Sequence, residues 1–200
     1  MEASEIAETI RGEAEELRAD ASFRKFTGIY LGIIAMLLAI TTLGGSNATK
    51  VMLNANIQAS DSYGFYQAKY ARQTSYRLAA DQLEAQLVAN PAMPDAAKAK
   101  FAEEIKRWRA TADRYENEPA SGKQELLARA KDWEAKRDRA AERDPNFDFA
   151  EALFQIAIVL GSVSIVAVSR PLVHLSGALA AVATLLMVNG YFLLVHLPLE

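Results

Sequence analysis

Residues 26–43 read FTGIYLGIIAMLLAITTL, and the whole stretch 26–49 contains no Asp, Glu, Lys or Arg. Two further stretches, 152–169 and 171–199, also lack all four charged residue types. Because roughly 20 apolar helical residues cross a bilayer core of about 30 Å, these stretches predict three membrane-spanning helices. The predicted fold class is therefore an all-α integral membrane protein.

The polar sequence between the first two stretches predicts helices that leave the membrane and return. Residues 46–149 carry 17 Lys or Arg and 16 Asp or Glu, a mixture typical of the solvated faces of long helices. This balance argues against a nucleic-acid-binding surface, which is strongly basic. We expect a long extramembrane antiparallel helical hairpin, resembling a coiled coil, inserted between the first and second spans. A compact three-helix bundle is the alternative.

Prolines and glycines set the expected helix ends in this insert. The outgoing helix is expected to stop before Pro91, and Gly44-Gly45 either break or bend the chain ahead of it. The return begins with Asp95 as an N-cap, is interrupted at residues 119–122, and is expected to end at Asp144-Pro145. The predicted segments are an acidic amphipathic helix at 1–25, span 1 at 26–43, the hairpin domain at 44–148, span 2 at 149–169 and span 3 at 172–197.

The amino-terminal segment distinguishes span 1 from a secretory signal. Residues 1–25 contain seven acids, whereas a signal peptide has a short basic start and an apolar core of about 7 to 15 residues. We therefore expect a retained signal-anchor helix. The spacing of five apolar residues predicts one face of an amphipathic helix, either solvated or docked on a partner: Ile6, Ile10, Ala14, Leu17 and Ala21.

Basic residues near the spans predict the orientation. Arg24 and Lys25 precede span 1, and Arg170 lies in the short turn between spans 2 and 3. Because positive charge favours the cytoplasmic side, we expect a cytoplasmic amino terminus and a periplasmic hairpin domain in a bacterial inner membrane.

Small residues at helical spacing predict close packing of the spans. Gly28 and Gly32 are four apart on span 1, and Gly161 and Gly177 pair in the same way with Ala157 and Ala181. Such spacing lets helix backbones approach closely, either within one subunit or between subunits.

Three polar residues on span 3 invite a functional interpretation. Asn189 is expected to lie deep in the helix and to hydrogen-bond a neighbouring helix, with a pore-lining role as the alternative. His174 and His196 are 22 residues apart, about 33 Å along a helix. They are expected to anchor opposite membrane interfaces, so one chain offers no haem or metal site.

The segment from Ser60 to Tyr76 concentrates aromatic and basic residues. On a helix these side chains wind around more than one face, which indicates an interface with another helix or subunit. A wide internal core with Trp133 is the alternative. The predicted interaction residues are Tyr63, Phe65, Tyr66, Gln67, Lys69, Tyr70, Arg72 and Tyr76.

No catalytic motif accompanies this architecture. The chain has no cysteine, no Gly-rich phosphate loop, no His-Glu-x-x-His and no Gly-x-Ser-x-Gly. We expect no enzymatic activity, no cofactor and no metal. The expected function is a scaffold or accessory subunit that forms homo-oligomers or joins a larger membrane complex. A channel or transport component and a lipid or small-molecule sensor are the alternatives.

Six motifs run through nearly the whole chain from span 1 onward. They are Gly44-Gly45, Asn47-Ala-Thr-Lys50, Phe65-Tyr-Gln-Ala-Lys69, Leu78-Ala-Ala-Asp-Gln-Leu-Glu84, Phe149-Ala-Glu-Ala-Leu-Phe-Gln-Ile-Ala-Ile-Val-Leu160 and Asn189-Gly-Tyr-Phe-Leu-Leu194. Together they resemble the bacterial family filed as domain of unknown function 4337, in which the position of Tyr63 is often Trp and the tail beyond Leu194 varies. The resemblance implies a three-span bacterial membrane protein with a helical insert, and it implies no activity or ligand.

Overall fold

Helices account for nearly all of the structure. The computed structural model describes the backbone of residues 3–196 and the side chains of residue 8 and residues 10–196. Over that range there are four helices and no strand: α1 (Ala3–Ala89), α2 (Asp95–Asn117), α3 (Lys123–Ala167) and α4 (Arg170–Phe192). The predicted all-helical class is confirmed. The side chain of Ile6 and the expected end of span 3 at Leu197 lie outside the described residues.

Three of the helices, α1, α3 and α4, are long and apolar enough to cross a membrane. Their most apolar 18-residue windows have mean hydropathies of 2.1, 2.0 and 1.9. Only 17%, 28% and 22% of those windows is buried within the chain. Most of this apolar surface therefore faces outward, as in helices that are covered by lipid or by further protein.

The chain divides into two compact units. We call Met1–Lys50 with Arg139–Glu200 the apolar unit, and Val51–Asp138 the polar unit. The buried cluster of the apolar unit combines two large side chains, Phe154 and Met187, with Ile34 and several alanines. Alanines at these positions let the three helices approach closely. In the polar unit, residues successively later on α1 contact residues successively earlier on α3, the α2–α3 turn and α2. The pairs are Tyr63 with Glu134, Lys69 with Glu118, Gln73 with Ala112 and Glu84 with Arg109.

Two glycines that could have broken the first helix do not. α1 continues through Gly44-Gly45, although a glycine in a helix interior costs about 1 kcal/mol relative to alanine. Both glycines lie against Phe147: a Cβ on Gly44 would be 2.5 Å from its ring, and a Cβ on Gly45 would be 3.2 Å from its Cβ.

The expected end of a helix at Asp144-Pro145 is not observed, because α3 continues through Pro145. Proline removes the N–H that would bond the carbonyl four residues earlier. Two side-chain hydrogen bonds lie beside Pro145: the Thr49 hydroxyl donates to Asp144 Oδ1 over 2.9 Å, and Asn146 Nδ2 donates to the Glu142 carbonyl over 3.0 Å. No helix end therefore marks the expected boundary at 148/149 between the hairpin domain and span 2, which is defined by composition alone.

The other helix ends show two smaller differences. Pro94, rather than Asp95, occupies the N-cap of α2, and Asp95 lies in its first turn, where its charge favours the positive end of the helix dipole. α4 ends at Phe192, because Leu193 adopts a left-handed conformation with φ 48°. Asn189 is consequently in the last turn of α4 and not deep within the helix. The expected interruption at residues 119–122 separates α2 from α3.

Candidate interaction site

Tyr63 opens the predicted interaction segment, which lies on the polar-unit part of α1. Its hydroxyl donates to Glu134 Oε2 on α3 over 3.0 Å. This hydrogen bond raises the pKa of Tyr63, because ionisation would remove the bond and place two anions together. The residue therefore ties α1 to α3.

A buried lysine stands at the centre of the segment's contacts. Lys123 Nζ, at the start of α3, donates to Gln73 Oε1 over 2.7 Å and to Glu116 Oε2 over 3.0 Å. Gln73 is 1% exposed, and its Nε2 donates to the Ala112 carbonyl and to Glu116 Oε2. Hydrogen bonds from Gln73 and then Lys123 lower the pKa of Glu116. The buried charge is thus paired, as the cost of desolvation requires.

Two tyrosines complete the surroundings of Lys123. Tyr66 and Tyr70 stack with their ring centroids 6.4 Å apart. Lys123 Nζ lies 5.6 Å from the Tyr66 centroid and 4.9 Å from that of Tyr70, within the range of cation–π attraction. We call Gln73, Glu116, Lys123, Tyr66 and Tyr70 the lysine cluster.

Lys69 joins α1 to the turn between α2 and α3. Its Nζ donates to Glu118 Oε2 over 2.7 Å and to Ser121 Oγ over 3.1 Å. Hydrogen bonds from Lys69 and from Ser121 lower the pKa of Glu118. Tyr115 lies beneath this group, 5.7 Å from Lys69 Nζ and 6.0 Å from the ring of Tyr76.

The eight predicted interaction residues therefore divide into two groups. Tyr63, Tyr66, Lys69 and Tyr76 are partly buried and contact the returning helices of the same chain. The other four are exposed, with Phe65 65% exposed and Tyr70 54% exposed: Phe65, Gln67, Tyr70 and Arg72. Of these four, Tyr70 also contacts α3 through Lys123. Sequence reasoning missed Lys123, Gln73 and Glu116, since nothing in their spacing links them before the chain folds back.

The four predicted packing glycines also divide into two groups. A Cβ on Gly161 would meet Leu31 and Ser176 Oγ, and one on Gly177 would lie 3.7 Å from the Tyr30 hydroxyl. These two glycines therefore pack within the chain, where the Tyr30 hydroxyl and Ser176 Oγ are 3.0 Å apart. Gly28 and Gly32, by contrast, have no described atom within 4 Å of a Cβ position.

Asn189 joins the end of α4 to α3. Its Nδ2 donates to Asn146 Oδ1 and to the Val195 carbonyl, each over 2.9 Å, and its Oδ1 accepts from the Val195 N–H. These hydrogen bonds hold residues 193–195 against the end of the helix. The exposed His196 lies 4.0 Å from Glu142, and His174 is exposed near the start of α4.

A socket for one aromatic ring was not foreseen from the sequence. Phe147 is 3% exposed, and a Cβ on Gly44 or Gly190 would lie 2.5 Å or 2.9 Å from its ring. Tyr191 packs edge-on against that ring at 5.0 Å and donates its hydroxyl hydrogen to the Ile40 carbonyl. We call these residues the glycine socket. The sequence feature that could have indicated this socket is the Gly44-Gly45 pair inside a long helical stretch, together with Gly190 on the last apolar stretch.

Comparison with known proteins identifies a family. No curated protein and no solved structure gives a significant match. A family model does match residues 23–193, a range that includes the first two charge-free stretches, most of the third and the whole polar unit. The chain belongs to the family described as Domain of unknown function (DUF4337).

Proposed function

We propose that the protein is a non-enzymatic scaffold or accessory subunit of a bacterial inner membrane, assembled as a homo-oligomer through span 1. The observation that carries the proposal is the open space beside Gly28 and Gly32. The other two predicted packing glycines, Gly161 and Gly177, contact side chains of the same chain, whereas Gly28 and Gly32 contact no described residue of another helix.

The uncovered glycines belong to a longer face of small residues. Residues 28, 32, 35 and 39 lie on one side of a helix because they are three or four positions apart. All four are Gly or Ala and exposed. Where lipid provides no hydrophobic drive for association, such a face allows the close backbone approach that stabilises helix pairs. A second copy offers an identical face, so a symmetric helix pair covers both.

The polar unit supplies a second surface in this proposal. Residues 44–148 lie on the periplasmic side as a helical hairpin, and the amino terminus lies in the cytoplasm. Exposed Phe65, Tyr70 and Arg72 then face a neighbouring subunit or another component of a membrane complex. Aromatic and arginine side chains are enriched in the centres of such interfaces.

The oligomeric state tests the proposal directly. Full-length protein in nanodiscs is compared by mass measurement with a Gly28→Ile/Gly32→Ile variant. The bulky side chains are expected to shift an oligomer to monomer. Ala178→Ile/Ala181→Ile, which places two isoleucines at exposed positions of α4, is the matched control and is expected to keep the oligomer. A wild-type protein that is monomeric and co-purifies with nothing contradicts the proposal.

A further inference from the structure

An open cavity of about 610 Å³ lies in the apolar unit, between the amino-terminal part of α1 and the start of α4. Its volume is within the range of small-molecule sites. Residues from both helices line it, including Ser22, Phe23, Phe26, Tyr30, Arg170 and Val173.

The lining combines an apolar wall with one cation. Phe23, Phe26 and Val173 provide hydrocarbon surface, and Arg170 provides the charged group. Within the described part of the chain, Arg170 has no carboxylate partner at ion-pair distance. Its guanidinium is therefore available to an anion, and it also lies at the first turn of α4, the positive end of that helix dipole.

The position of the cavity along the sequence defines the environment of its ligand. Phe26 is the first residue of one charge-free stretch, and Arg170 separates the other two. From Ala19 to Tyr30, the part of α1 that lines the cavity, Asp20 is the one acid and Arg24 and Lys25 are two bases. Residues 168–174 contain Arg170 and no acid, so the net charge around the cavity is positive. In the proposed topology this end of the spans lies at the cytoplasmic surface, where basic pockets between spanning helices bind anionic lipid head groups.

We propose that this cavity binds an anionic phospholipid, with the phosphate at Arg170 and the upper part of one acyl chain along Phe26 and Val173. A guanidinium donates two parallel hydrogen bonds to a phosphate group, which gives both strength and orientation. The inference rests on the proposed membrane location. It does not require a second subunit, because the lining residues of one chain already supply both the cation and the apolar wall.

Native mass spectrometry of the full-length protein in a mild detergent tests the proposal. The probes are phosphatidylglycerol, which is anionic, and phosphatidylethanolamine, which is zwitterionic. Phosphatidylglycerol is expected to bind more tightly, and Arg170→Gln is expected to weaken it about tenfold, as for loss of a charge-assisted hydrogen bond. Arg24→Gln, which removes one charge outside the lining, is the matched control. Equal losses in both variants, or equal binding of both lipids, overturn the proposal.

A second variant tests the cavity itself while leaving Arg170 in place. Ser22→Trp puts a large ring into the space from an exposed position and is expected to abolish phosphatidylglycerol binding without lowering the midpoint of thermal unfolding. Undiminished binding overturns the assignment. Glycerol 3-phosphate carries the phosphate without an acyl chain and is expected not to compete at equal concentration; full competition overturns the role of the apolar wall.

The same spectra separate this inference from the proposed function. They report the number of subunits alongside the number of lipids, so a monomer that binds phosphatidylglycerol through Arg170 removes the oligomer proposal and keeps the lipid site. An oligomer with no preference for phosphatidylglycerol keeps the oligomer proposal and removes the lipid site.

Discussion

The ring of Phe147 lies so close to Gly44 that a Cβ on residue 44 would be 2.5 Å from Phe147 Cε1. Gly44→Ala is therefore expected to destabilise the protein by about 1–3 kcal/mol, because overpacking forces side chains and backbone to shift. The midpoint of thermal unfolding in a mild detergent measures the effect.

Gly64→Ala is the control for this substitution, since it also replaces a glycine inside α1 but has no described atom within 4 Å. It is expected to raise stability by about 0.5–1 kcal/mol through helix propensity alone. A Gly44→Ala variant as stable as Gly64→Ala would show that the socket is not tightly packed.

Lys123 is expected to contribute most of the stability of the lysine cluster. Lys123→Met leaves Gln73 and Glu116 without their cationic donor, and we expect a loss of about 1–3 kcal/mol. Chemical denaturation followed by circular dichroism measures it, with the exposed Lys131→Met on the same helix as control. In a double-mutant cycle with Glu116→Gln, additive losses would contradict a direct interaction.

Acidification is expected to weaken the polar unit. Hydrogen bonds lower the pKa values of both carboxylates in the folded state. The main donor to Glu116 is Gln73, and the main donor to Glu118 is Lys69. Their contribution is therefore complete above the ordinary glutamate pKa of 4.5 and is lost as the pH falls through the lower folded values. Denaturation midpoints measured below pH 5 are expected to fall less steeply in Glu116→Gln/Glu118→Gln. An unchanged slope would contradict the assignment.

Asn189→Leu is expected to release the chain after α4. The substitution removes three hydrogen bonds and leaves the buried Asn146 without its donor, at a cost of about 1–3 kcal/mol. Hydrogen exchange should accelerate at the Val195 amide and remain unchanged in α2, which serves as an internal reference. Unaltered protection at Val195 would mean that the side chain does not hold this segment.

Single cysteines can test the proposed interface between subunits, because the chain has no native cysteine. Gly32→Cys is expected to form a disulfide-linked dimer in native membranes under mild oxidation. Val163→Cys, at an exposed position of α3, is expected to remain largely monomeric on denaturing gels. Equal cross-linking at both positions would indicate random collisions and not a defined contact.

The helices could be predicted from sequence where a local signal defines them. Missing charges located the three apolar helices, and the break at residues 119–122 separated α2 from α3. Pro145 misled the prediction because its lost N–H is a local property, whereas the hydrogen bond from Thr49 to Asp144 beside it comes from a distant part of the chain.

The contacts between helices were less accessible to sequence reasoning. Gly44, Phe147 and Gly190 are brought together only by folding, and no single stretch shows that a ring needs two glycines from other helices. The aromatic segment was recognised from composition. The sequence did not indicate which of its side chains contact other helices of the same chain. Those contacts depend on the position of Lys123, which is set by how α3 packs against α1.

Burial of the Lys123 ammonium group favours one register of α3 against α1 and α2. A shift of α3 by one residue would turn Lys123 by about 100° around the helix axis, away from Gln73, Glu116 and the two tyrosine rings. The buried Gln73 would then lose the ammonium group that it accepts a hydrogen bond from, and leaving a buried polar group without its partner costs more than losing an apolar contact. The alignment of α1 against the returning helices is therefore fixed jointly by Lys123 and by the hydrogen bonds of Tyr63 and Lys69, so that a slip of one residue would break several polar contacts at once.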